Sequence, residues 1–158
     1  MKAISLYQPW ASAIAVGLKS IETRSWPAPK SIIGHPLAIH AAKRNTAAEL
    51  SWWIENVRHN GEFSSAFARR GYREFDDLPR GAIVAIATLA AVISTNDNPK
   101  IRGSEAVHLG VPCPLDSDET WGNFSPDRFA WFLADIVPLK TPVPCIGRQG
   151  LFDWNPTA

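Results

Sequence analysis

The sequence predicts one α+β domain, because segments alternating as strands do are interrupted by two segments with the 3.6-residue period of helices. The chain also carries ample apolar material for a core: 46 % of its 158 residues are hydrophobic, seven Trp and seven Phe among them. A domain of this length buries roughly 70 % of the surface its unfolded chain exposes, so it needs no disulfide or metal to hold it together. No internal repeat or linker divides residues 1–158, and residues 45–80 read as a variable helical insert.

Ala3-Ile4-Ser5-Leu6 is a short strand. Pro9 suits a first helical position, where its missing N–H would have gone unpaired. Trp10, Ala13, Ile14 and Gly17 then recur at helical spacing, and Gly17 stands where a left-handed cap ends a helix of about two turns. From Lys19 to Trp26 the chain alternates as a strand, which puts Ser20, Glu22, Arg24 and Trp26 on one face and makes Glu22 and Arg24 neighbours able to pair. Pro27-Ala28-Pro29 stops it. A second strand over residues 34–42 places Leu37 and Ile39 on one face and His40 and Ala42 on the other, with Lys43 and Arg44 closing it.

Asn45 is a suitable cap for a helix over residues 46–58, whose stripe Ala47, Leu50, Ile54 and Val57 should be buried with Trp52 or Trp53 at its edge. Residues 60–80 mix Phe63, Phe67, Tyr72 and Phe75 with Arg69, Arg70 and Arg73 and predict a second, weaker helix. Gly81 to Ser94 is the most apolar run, rich in branched residues, and reads as a central barrel strand. A polar loop over residues 95–126 contains Glu119-Thr120-Trp121-Gly122, and loops of that length often line sites. Residues 128–137 form a strand that Pro138 should end; a Pro-rich crossing then leads through Gly147-Arg148-Gln149-Gly150 to a closing strand.

Several function classes drop out. Cys113 and Cys145 each follow a proline, with no CxxC or Cys/His spacing, which argues against a zinc site or disulfide framework and for a reducing compartment. The apolar stretch within residues 1–19 is too short to span a bilayer, so the expectation is a cytoplasmic protein without membrane attachment. Walker, GxGxxG and G-x-S-x-G elements are missing, and no metal or cofactor is expected. Net charge is +1, but residues 1–44 carry six Lys/Arg against Glu22 alone, a balance compatible with a phosphate-bearing partner.

The remaining polar residues define the candidate chemistry. Lys19 could act as a general base if desolvated, or could stabilise a helix C-terminus. As a pocket lysine it would add little packing, so Lys19→Ala is expected to leave the fold intact. Glu22 and Arg24 could clamp a base's amine edge and a phosphate, or form a structural salt bridge. His40 could orient a ligand, Trp10 and Trp26 could stack on a base, and Lys43 could hold phosphate.

Gln8-Pro9-Trp10-Ala11-Ser12, followed by Gly17-Leu18-Lys19-Ser20-Ile21-Glu22-Thr23-Arg24-Ser25-Trp26, resembles the opening of the ASCH domain. Ile39-His40-Ala41-Ala42-Lys43, the strand after Gly81 and the run from Gly122 to Trp131 are similar to further family elements. The resemblance implies a PUA-like mixed β-barrel flanked by helices, with a cleft between barrel and first helix that handles RNA, DNA or a modified nucleoside. By motif it assigns Lys19, Glu22 and Arg24 to that cleft, shaped by Gln8, Trp10 and Trp26. One family branch hydrolyses N4-acetylcytidine without metal, using a lysine, a threonine and a glutamate; Lys19 matches the lysine, Glu22 stands where the threonine would be, and Glu119 matches the glutamate by loop position. Another branch is a ribonuclease. Three readings follow: a nucleic-acid or nucleoside binding module, a metal-independent hydrolase with Lys19, Glu22 and Glu119 as its catalytic residues, and a protein-interaction scaffold using residues 63–75. Oligomeric state is not read from the sequence.

Overall fold

In the computed structural model the described residues are 1–96 and 120–156. Six strands form one mixed sheet: β1 (Lys2–Leu6), β2 (Ile21–Arg24), β3 (Pro36–Ala41), β4 (Ala82–Ser94), β5 (Phe129–Pro144) and β6 (Leu151–Asp153). Their order is β2-β5-β4-β3-β1-β6, with β1 and β3 parallel and every other pair antiparallel. The sheet curls into a half-barrel. Register shifts interrupt β3–β4 between Ile39 and His40, and β4–β5 at three places, and such bulges bend a sheet in this way.

Helices α1 (Trp10–Ala15), α2 (Ala47–Trp53) and α3 (Gly61–Ala68) accompany the sheet. Every residue of α1 from Ala11 to Ala15 is buried, because the helix is sandwiched between two cores. Ala11, Ile14 and Ala15 pack with Ile4, Leu6, Leu37, Ile39, Leu89 and Trp131 inside the half-barrel. Ala13 faces an aromatic core of Trp53, Phe63, Phe67, Phe75 and Trp121. A helix apolar all round is what a buried position requires, and alanine lets both layers approach closely. Gly17 follows α1 at φ 83°, the left-handed cap that its position predicted.

The structure corrects four local expectations. Thr46, not Asn45, caps α2: its hydroxyl accepts from Ala48 N while Glu49 returns to Thr46 N, a reciprocal capping box. Asn45 instead accepts from Gln8 N. The helix continues past Trp53 as a π turn over Ile54–Arg58. Trp53 and Val57 carry the buried face, while Ala47 and Leu50, which precede the π turn, and Ile54 are exposed. Strand β5 does not stop at Pro138 but runs through Pro142 to Pro144. Beyond Leu133, β4 is the strand it pairs with among the described residues, and the edge it then presents tolerates a residue without an N–H. Lastly, Phe63, Phe67 and Phe75 are consumed by the core, so residues 63–75 do not offer an aromatic docking face.

Candidate functional site

An open cleft lies at the end of the half-barrel where β1, β2, β3 and the segment after β5 converge. Glu22 and Arg24 reach it from alternate positions of β2, as the period-two pattern predicted, and Arg24 Nε lies 3.0 Å from Glu22 Oε1. The other carboxylate oxygen, Oε2, is 3.1 Å from Lys19 Nζ. Arg24 also crosses to β1, where its Nη2 donates to Ser5 O at 2.7 Å. Strand β6 covers β1 only as far as Ile4, so this side-chain bond closes the seam of the curled sheet at the next residue.

Ser5 holds a second cluster. Its Oγ is 2.9 Å from His40 Nδ1 and 3.2 Å from Arg148 O, and His40 Nε2 donates to Cys145 O at 3.1 Å. With Nε2 carrying the hydrogen, Nδ1 is an acceptor, and the single hydrogen of the Ser5 hydroxyl is shared between it and Arg148 O. Burial pushes His40 below its ordinary value, partly opposed by the bond to the Cys145 carbonyl, and the ring is held neutral. Gly147 packs so tightly here that a Cβ would lie 2.2 Å from His40 Cε1 and 2.9 Å from Ser5 Oγ.

The cleft is strongly cationic. Lys43, Arg44, Arg80, Arg128 and Arg148 join Arg24 on its lining, against the single carboxylate of Glu22 among the described residues. Arg80 is already paired with Asp76 and sits over the Phe75 ring, and Arg128 donates to Thr23 O. Two indoles flank these charges. Trp26 stands edge-on to Trp131 at 4.9 Å, and Trp10 tilts against Trp52 at 5.4 Å.

The ASCH domain matches residues 4–130 of the sequence. The chain belongs to the ASCH domain family. The crystal structure of ASCH from Zymomonas mobilis is similar, with 16 % sequence identity, a TM-score of 0.51 and an alignment covering 99 % of this chain and 88 % of that one. A mutant of the same organism's ZmASCH aligns over 98 % and 88 % of the two chains at 16 % identity, with a TM-score of 0.50. At such identity the likeness concerns the fold, which is PUA-like. A search of curated proteins gave no match.

In this ASCH domain the structure brings Glu22, Arg24, Trp10, Trp26, His40 and Lys43 to one cleft. Gln8 and Lys19 stand behind its wall. Gln8 is fully buried: its Oε1 accepts from Ser12 N, and its Nε2 donates to Ser12 Oγ and Pro79 O, which caps α1 and ties it to the segment before β4. Lys19 is 1 % exposed, and Nζ donates to Ile21 O at 2.6 Å and Trp121 O at 2.8 Å besides contacting Glu22. Glu119 lies outside the described residues. Sequence reasoning missed Ser5, Arg44, Arg80, Arg128 and the Gly147–Arg148 pair. Two glycines bracketing a cationic turn, and one serine between Ile4 and Leu6, were the available signals. The basic first third of the chain supplies only part of the basic surface: Arg24, Lys43 and Arg44 line the cleft, but Lys2 is spent on Asp153 and Lys19 on the interior, and Arg80, Arg128 and Arg148 come from later segments.

Among the described residues no three His, Cys, Asp or Glu side chains are grouped to hold a metal ion, and no helix is long and apolar enough to cross a membrane.

Proposed function

We propose that the cleft binds unpaired nucleic acid, RNA in the first instance, with the cations holding phosphates and the indoles flanking a base. One observation carries this reading: Lys43, Arg44 and Arg148 line the cleft and have no ion-pair partner among the described residues, so they are free to meet phosphate. Single-strand binders combine a positive groove with aromatic platforms in this way. Membership of a family generally thought to bind RNA supports the choice of partner.

The test is a titration of short single-stranded RNA and DNA at several salt concentrations. Affinity should fall with salt, and Lys43→Ala or Arg148→Ala should weaken all sequences alike and reduce the log–log slope by about 0.7 for each lost phosphate contact. Binding that is absent at low salt, or insensitive to both variants, rejects the reading.

The contact between Lys19 and Glu22 at the cleft wall favours a second reading, a metal-independent hydrolase of N4-acylated cytidine or of RNA. In it the Lys19 ammonium would have to lose a proton and give up one of its three acceptors before it could serve as a base. Appearance of cytidine on incubation with N4-acetylcytidine would select that reading.

A further inference from the structure

Building on the nucleic-acid reading, we infer that the cleft prefers guanine among unpaired bases and that Glu22 is the residue that selects it. A carboxylate on the lining of a cationic cleft repels the phosphates its neighbours attract, so its presence there calls for donors on the ligand. Glu22 is 13 % exposed and contacts two cations, one through each oxygen: Arg24 through Oε1 and Lys19 through Oε2. A carboxylate so paired is acceptor only, and each oxygen keeps one further lone pair. Because Glu22 lines the cleft, these are the two adjacent acceptors it can offer a ligand.

The Watson–Crick edges of the four bases answer this pair differently. Guanine offers N1–H and N2–H side by side, two parallel donors. Adenine and cytosine each set one amine beside a ring-nitrogen acceptor, which would face a carboxylate oxygen lone pair to lone pair. Uracil offers one N–H between two carbonyls. Guanine alone satisfies both oxygens at once, and an unmet acceptor is what makes the other bases unfavourable.

The carboxylate is also pre-set. Lys19 is anchored to two backbone carbonyls and Arg24 to Ser5 O, so the ligand need not order either partner of Glu22 on binding.

The experiment uses the whole protein and uridine octamers carrying one central G, A, C, inosine or 7-deazaguanine, titrated at low salt. Guanine should bind about 10–100-fold tighter than adenine, cytosine or uracil, the range of one good bidentate contact. Inosine, which lacks the N2 amine, should lose most of that advantage. 7-Deazaguanine, altered only on the Hoogsteen edge, should keep it. Glu22→Gln, checked for folding by circular dichroism, should bring the bases to within about threefold, since an amide replaces one acceptor by a donor. The base-analogue series needs no variant and decides the matter even if Glu22→Gln does not fold. Equal, salt-sensitive binding of all octamers, or an inosine octamer as tight as the guanine one, overturns guanine selection and leaves the nucleic-acid reading standing. No binding of any octamer at low salt overturns both.

Discussion

Replacing Lys19 with methionine removes a buried cation whose ammonium serves as a three-way tie. Nζ joins Ile21 O, Trp121 O and Glu22 Oε2 at 2.6, 2.8 and 3.1 Å, and the side chain is as buried as the core tryptophans. Methionine fills nearly the same volume, so packing changes little and the loss isolates the polar part. Two carbonyls and one carboxylate oxygen lose the Nζ donor, and removing one member of a buried pair costs about 3–5 kcal/mol. Against a total of roughly 5–15 kcal/mol for a domain, that is a large fraction. For a chain of this size it corresponds to a Tm lower by about 6–20 °C. The expectation that Lys19→Ala spares the fold thus reverses, because a lysine treated as a pocket group is a structural one. Urea unfolding followed by tryptophan fluorescence gives the measurement. The double variant Lys19→Met/Glu22→Gln should lose less than the sum of its single variants, since the carboxylate that the first change leaves with Arg24 alone is neutralised by the second. A single-variant loss below about 1 kcal/mol, the size of an exposed ion pair, would refute the reasoning.

Gly147→Ala should destabilise by about 1–3 kcal/mol, because its Cβ meets a His40 ring fixed on both sides; unchanged urea unfolding would show that the turn simply shifts. His40 makes stability depend on pH. Its folded-state value lies below the unfolded one, so the unfolded chain takes up the proton first and stability falls as pH drops below about 6.5, continuing until pH passes the lowered value. The depressed carboxyls of Glu49, Asp77 and Asp153, each held down by hydrogen bonds, also cost stability on acidification, but from the ordinary carboxylate range downward, so the windows separate. His40→Phe should flatten the unfolding free energy between pH 7 and pH 5; an unaltered slope there would exclude His40 as its source.

Local rules made much of this molecule legible. Helix α1, its Gly17 cap, the central strand β4 and the adjacency of Glu22 to Arg24 all follow from spacing within a few residues. What escaped depends on distant chain. Lys19 is fixed by a carbonyl 102 residues away, and Arg148 O comes to Ser5 across 143. A proline ends a strand only where its missing N–H is needed, and Pro138 lies where β2 no longer covers β5. The buried face of α2 runs through Trp53 because that indole packs with Phe67, Phe75 and Trp121, partners that the apolar pattern of Leu50, Ile54 and Val57 could not reveal.

The bond from Arg24 to Ser5 makes the last stitch of the half-barrel a side chain that also stands in the cleft. Architecture and recognition therefore draw on one guanidinium. A substitution at Arg24 would lower ligand affinity twice over, by removing a cation and by letting the seam gape, so weakened binding in such a variant cannot be apportioned without a parallel measure of the scaffold. The same economy narrows what drift can explore. Lys43 and Arg148 can change to retune a ligand at little structural risk, whereas a new specificity routed through Arg24 must first find another way to hold β2 against β1.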